Sequence, residues 1–273
     1  MTGMSAGEAG ENPLVPNEKL RQMYLKMLEA RKLDETAAKR ATAAGKRRVA
    51  TIRGQEAVRV STVIELGQHD LISDTAPTAG MGYLLGGDRA TLVRGMVNGK
   101  VKREDVLKDA GCTGLLRWIA EDDERVHLSL GAALALKAQG WSGVVVAYSE
   151  KDALSAAEWK KILTRAAKLE LPIIFVVLPR SGAVRKGAEL NELCGAARAA
   201  GVPGIPVDAC DSVALYRVTQ ESLGRTRGGD GPVLIESVRW RVEGKRNGID
   251  DPLEHMKQFL LERRICDSKW FVQ

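Results

Sequence analysis

Two short runs constrain what this 273-residue chain can fold into more than any other feature. Gly143 to Tyr148 (GVVVAY) and Pro172 to Leu178 (PIIFVVL) are apolar and β-branched with no polar alternation. A strand wetted on one face alternates; an unbroken apolar run of this length reads as a strand buried on both faces. Between them, Ser155 to Leu169 has helical character and opens on a capping box, Ser155 with Glu158 three residues on. Strand, helix, strand in that order predicts an α/β fold, a parallel sheet with helices on both faces. Ligands of such sheets sit beyond the carboxyl ends of the strands, which directs attention to the loops after Tyr148, Leu178 and Val238.

The same alternation continues on either side. Leu128 to Gln139 reads as a helix that Gly140 can end, Glu189 to Ala200 and Ser212 to Arg225 as helices, Ile205 to Asp208 and Pro232 to Val238 as strands, and Pro252 to Arg264 as a closing helix. From Glu18, the residues Leu20, Met23, Tyr24, Met27 and Leu28 recur on one helical face, leaving Arg21, Lys26 and Lys32 outside. A second helix follows Gly54, with Ala57, Val58, Ser61 and Ile64 inward, whereas residues 99–125 show no clear period. Residues 1–17 read as a flexible arm and residues 18–273 as a single α/β domain.

Composition removes several classes. The longest apolar run, Leu171 to Leu178, is far short of the roughly 20 residues of a membrane span, and no basic-then-apolar leader opens the chain, so a cytoplasmic protein is expected. The net charge of +6 is spread among acids and aromatics are 4%, which leaves little to stack on nucleic acid. Cys112, Cys194, Cys210 and Cys266 form no C-x-x-C pair and read as small buried hydrophobes. His127, between Val126 and Leu128, reads as a packed histidine.

Several segments, taken in order, resemble the alpha subunit of the first, decarboxylating component of pyruvate and branched-chain 2-oxo-acid dehydrogenases. They are Met23-Tyr24 and Met27-Leu28 with Arg31; Gly54-Gln55-Glu56-Ala57-Val58, identical to the family's GQEAV; Gly131 to Lys137, similar to GAALAxK; and Leu171 to Val177, similar to LPVIFV. Gly201-Val202-Pro203-Gly204 with Val207-Asp208, Gly231 to Glu236, and Asp250-Asp251-Pro252 complete the series. The resemblance implies a thiamine-diphosphate-binding (diphosphate-domain) fold and a beta subunit that supplies the other half of the site. It also implies decarboxylation of a 2-oxo acid with acyl transfer to a lipoyl group.

The chain departs from that pattern where the family holds its magnesium and diphosphate. Aligned without gaps, Glu150, Lys151 and Asp152 stand at the family's Gly-Asp-Gly, so an ammonium occupies the metal aspartate's place. A one-residue shift would put Glu150 there instead. Pro179 or Arg180 stands at the metal asparagine, Pro77 at the phosphate-gripping arginine, and Gly244-Lys245-Arg246 at Gly-His-Ser. Magnesium demands oxygen donors in near-octahedral array, and an ammonium, a proline and a guanidinium offer none.

The expectation that follows is a degenerate homologue with no catalytic residue, no metal and no cofactor, acting in a homo-oligomer or beside a beta-subunit-like protein. Two alternatives stay open: an active thiamine-diphosphate and magnesium subunit with Glu150 or Asp152 as ligand, and a metal-free binder of a phosphorylated small molecule through an anion site of Lys151, Arg180, Lys245 and Arg246. Arg185 and Lys186 belong to the same cationic loops. In the family, Glu56 belongs to a segment that the resemblance ties to helix packing and subunit contact.

Overall fold

The computed structural model describes residues 12, 14–46, 49–98, 101–179, 192–239 and 251–272. Five strands form one parallel sheet in the order β1-β2-β3-β5-β4: β1 (Leu71–Ser73), β2 (Val145–Glu150), β3 (Ile173–Leu178), β4 (Gly204–Asp208) and β5 (Val233–Val238). Strands β3 and β5 are buried throughout, and β2 at every position but its last, Glu150. This is the two-sided burial that their unbroken apolar runs require.

One face carries α1 (Asn17–Ala43), α2 (Glu56–Val63), α9 (Ser212–Arg227) and α10 (Pro252–Glu262), which pack with Val146, Tyr148, Ile174, Val176 and Ile235. The other carries α6 (Asp122–Ala138), α7 (Ala156–Lys168) and α8 (Glu192–Ala199), which pack with Val145, Ala147, Phe175, Val177 and Leu234. In α7 the buried residues Trp159, Ile162, Leu163 and Ala166 recur at one helical stripe, and the capping box is formed as the sequence predicts, Ser155 Oγ accepting from Glu158 N–H. Three short helices, α3 (Ala79–Leu84), α4 (Arg89–Val97) and α5 (Arg103–Asp109), fold with the second half of α1 into a smaller apolar cluster.

Several boundaries differ from the expected ones. Helix α6 starts at Asp122, six residues ahead of Leu128, because Asp122, Asp123 and Glu124 suit a helix N-terminus though they carry no apolar period. Helix α2 is buried on all sides, Arg59 included, rather than along one stripe. Strand β1 and helices α3 to α5 are additional to the elements expected. His127 is exposed, not packed, and its Nδ1 lies 2.7 Å from the Asp123 carbonyl. Near the N-terminus, Val15 is fully buried in the main core. All four cysteines are free, three of them buried and Cys112 half-buried.

Each edge of the sheet is short or interrupted. Strand β1 has three residues, and β4 carries Pro206, which has no N–H to offer a further strand. No helix among the described residues is long and apolar enough to cross a membrane.

Candidate functional site

The register of the sheet brings the expected loops together. Glu150 pairs with Leu178, so Lys151 and Pro179 leave neighbouring strands side by side at the carboxyl end. Residues Lys151–Ala153 make a single 3-10 turn before the Ser155 cap. The Glu150 and Asp152 side chains point to solvent, and Pro179 is buried. Pro77 lies after β1 at the same end, also buried, and Thr78 beside it caps α3 by accepting from Met81 N–H. Arg180, Arg185, Lys186, Lys245 and Arg246 lie outside the described residues.

Lys151 does not reach into open solvent. Its Nζ is 3.5 Å from Oε1 of Glu236 on β5, so the side chain spans β3, and the carboxylate it meets is 2% exposed. The other oxygen of Glu236, Oε2, accepts from Cys194 N–H at 3.0 Å at the start of α8. Burial, with Glu236 as a neighbour, pushes the Cys194 thiol up to about 12, so this cysteine stays protonated at neutral pH. Glu236 was visible in the sequence only as part of a strand; nothing local marks it as the partner of a lysine 85 positions earlier.

These residues do not fit a magnesium ion held by the two loops. A dication there would meet an ammonium already satisfied by Glu236, and a buried proline in place of a side-chain oxygen. Among the described residues, no three His, Cys, Asp or Glu side chains converge.

On the opposite side of the same sheet end lies a buried polar network centred on the GQEAV segment. Glu56, fully buried, accepts from Arg31 Nε at 2.6 Å and from Gly54 N–H at 2.8 Å, and Arg31 also donates to Asp251, the N-cap of α10, at 2.7 Å. Burial opposes the Arg31 charge, but the hydrogen bonds to Glu56 and Asp251 outweigh it and raise its pKa. Gly54 takes φ +81°, a conformation that strains any residue with a Cβ, and the Arg239 guanidinium lies close against it. Arg59, 2% exposed, donates to Asp74 at 2.7 Å and stacks on the Tyr148 ring at 4.9 Å. Burial drives the Tyr148 hydroxyl pKa up, and that hydroxyl shares a 2.5 Å hydrogen bond with Thr62.

Asp34 ties three segments together, accepting from Ile52 N–H at 2.7 Å and Gly80 N–H at 2.6 Å from its place on α1. Burial pushes its carboxyl up to about 6 against the pull of those two bonds. Sequence reasoning placed Glu56 in a packing segment but missed Asp34, Arg59 and Asp74. The signal available was a charged residue inside an apolar helical run, as in Ala57-Val58-Arg59-Val60, which calls for a buried partner.

The fold is of the α/β class, a parallel sheet covered by helices on both faces. Residues 24–258 match the family model for the dehydrogenase E1 component, and the chain belongs to that family. It is similar to the pyruvate dehydrogenase E1 component subunit alpha of Staphylococcus aureus, with 33% identity over 129 residues, 46% of this chain and 35% of that protein. It is also similar to the 3-methyl-2-oxobutanoate dehydrogenase subunit alpha of Mycobacterium tuberculosis, with 28% identity over 256 residues, 91% of this chain and 68% of that one. Among solved structures, a putative thiamin diphosphate-dependent enzyme from Mycobacterium smegmatis aligns over 47% of this chain and 24% of its own, at a TM-score of 0.35 and 20% identity. The match to the staphylococcal relatives thus spans about a third of their length.

The chain is therefore an E1 alpha-like member of the 2-oxo-acid dehydrogenase family. This corrects one expectation drawn from the sequence, that no cofactor is involved. The family is thiamine-diphosphate-dependent, so membership points to a cofactor. Departures from the family pattern in two loops do not by themselves show that a cofactor site is lost.

Proposed function

We propose that the chain is an alpha-type subunit that acts as a non-catalytic partner in a 2-oxo-acid dehydrogenase-like assembly, beside a beta-type subunit or a second copy of itself. The observation that carries this reading is the Lys151–Glu236 ion pair. It fills the turn where the family's metal aspartate aligns with a cation that already has its counter-charge. A bound thiamine diphosphate is compatible with this reading; magnesium-dependent turnover through these two loops is not.

An assembly role also suits the outer side of α6. Leu134 is 46% exposed there, Gly131 and Ala135 lie bare beside it, and Trp141 just beyond the helix is 52% exposed. Large apolar groups left in water near one another are a liability that association removes.

Sedimentation of the full chain, alone and mixed with a beta-type subunit, tests the assembly role. A dimer or larger complex is expected, and a stable monomer in both samples would overturn it. Calorimetric titration of the assembly with thiamine diphosphate tests the metal claim: the isotherm should be the same with magnesium and with a chelator. Binding that requires magnesium, together with decarboxylation of a 2-oxo acid, would favour the other reading, an active subunit. What supports that reading is that the Glu150 and Asp152 side chains flank the turn and face solvent.

A further inference from the structure

Away from the sheet, α1 and α4 flank an open cleft of about 640 Å³. It is lined by Val93, Val97 and Ala90 of α4, by Thr36 of α1, and by Arg40, Arg89 and Arg94. No carboxylate lines it. Two acids lie beside it: Glu29 pairs with Arg89 at 2.9 Å, and Asp88, which caps α4 by accepting from Thr91 N–H at 2.8 Å, feels the charge of Arg94.

The three arginines differ in how they are held. Arg89 is fixed in place by Glu29 and by the Tyr83 ring, 4.9 Å away. Arg94 donates only to the neutral Thr91 hydroxyl, at 3.4 Å. Among the described residues, the Arg40 side chain makes no hydrogen bond and no ion pair. Cations at the last turns of α1 and α4 suit the helix dipoles, which accounts for a positive charge at each end. It does not account for three arginines lining one cleft with an apolar floor and no carboxylate among its lining residues. Like charges gathered in a concave site repel one another and raise the local potential for anions, and the guanidinium fork matches carboxylate and phosphate oxygens two at a time.

We propose that this cleft binds a small organic dianion, its acidic groups taken by Arg40 and Arg94 against the fixed Arg89, and its carbon body on Val93 and Val97. The site is independent of the sheet end, because α4 makes its contacts with α1, α3 and α5.

Calorimetric titration of the full chain with pyrophosphate and, separately, with succinate tests it, at constant ionic strength set by chloride. The two probes distinguish a phosphoryl from a carboxyl ligand. Saturable binding of at least one is expected, with a dissociation constant below about 1 mM, weakened about tenfold or more in Arg40→Gln/Arg94→Gln. The variant should keep the wild-type melting temperature within a few degrees, since both side chains are exposed. No saturable heat with either probe, or equal affinity in wild type and variant, would overturn the proposal. Arg40→Lys gives a second reading: it keeps the charge but not the fork, and an affinity between the other two is expected.

Discussion

Helices α1 and α2 on one side of the sheet and α7 on the other are held by different means. Helices α1 and α2 bring Arg31, Asp34, Glu56 and Arg59 under cover, each met by a partner of defined direction. Helix α7 instead brings Trp159, Ile162, Leu163 and Ala166, with the Trp159 ring edge-on to Phe175 at 6.1 Å. The α1–α2 layer is specified by geometry and the α7 packing by volume. A buried charge is costly without its partner, so the polar face tolerates removal of both members better than of one. An apolar face responds to the space that is lost.

The largest effects should separate these two regimes. Arg59→Met leaves Asp74 buried without its cation and should cost about 3–5 kcal/mol in urea unfolding. Adding Asp74→Leu should recover most of that loss; a double variant no more stable than the single one would break the comparison. Trp159→Ala should cost a similar amount, about 3–5 kcal/mol, through the cavity beside Phe175. There, only a large apolar residue such as phenylalanine should recover it.

A smaller effect sharpens the polar side. Asp34 has its carboxyl raised to about 6 in the folded chain, so the folded state binds its proton more tightly than the unfolded state does. Its contribution is then full below about pH 4 and is lost as the pH rises through 6, a term of roughly 2–3 kcal/mol. The stability difference between the wild type and Asp34→Asn should shift against the wild type between pH 4.5 and 7, and a flat difference would place the titration elsewhere. Smallest of all, Ser155→Ala removes the capping hydroxyl of α7 and should cost about 1 kcal/mol by thermal or urea unfolding.

The difference between the faces also explains what could be read in advance. Strands β2, β3 and β5 and helix α7 were legible because burial on two faces, or on one stripe, writes a period into the chain. Strand β1 is three residues long, and α3 to α5 have nine residues or fewer, too little for any period to emerge. At the candidate site, the position of Lys151 and the buried proline at 179 could be read from the order of segments. The carboxylate that meets Lys151 could not, since Glu236 and Lys151 are neighbours only through the strand order β2-β3-β5. The absence of a cofactor did not follow from these positions, because two turns do not describe a whole site.

The rims of the sheet have a consequence for growth. A copy of this chain that approached along β4 would find the Pro206 nitrogen alkylated, and along β1 a ladder of three rungs. Neither rim is a template on which another molecule's backbone could continue the pleated layer. Both rims thus weigh against the open-ended strand stacking that ends in fibres.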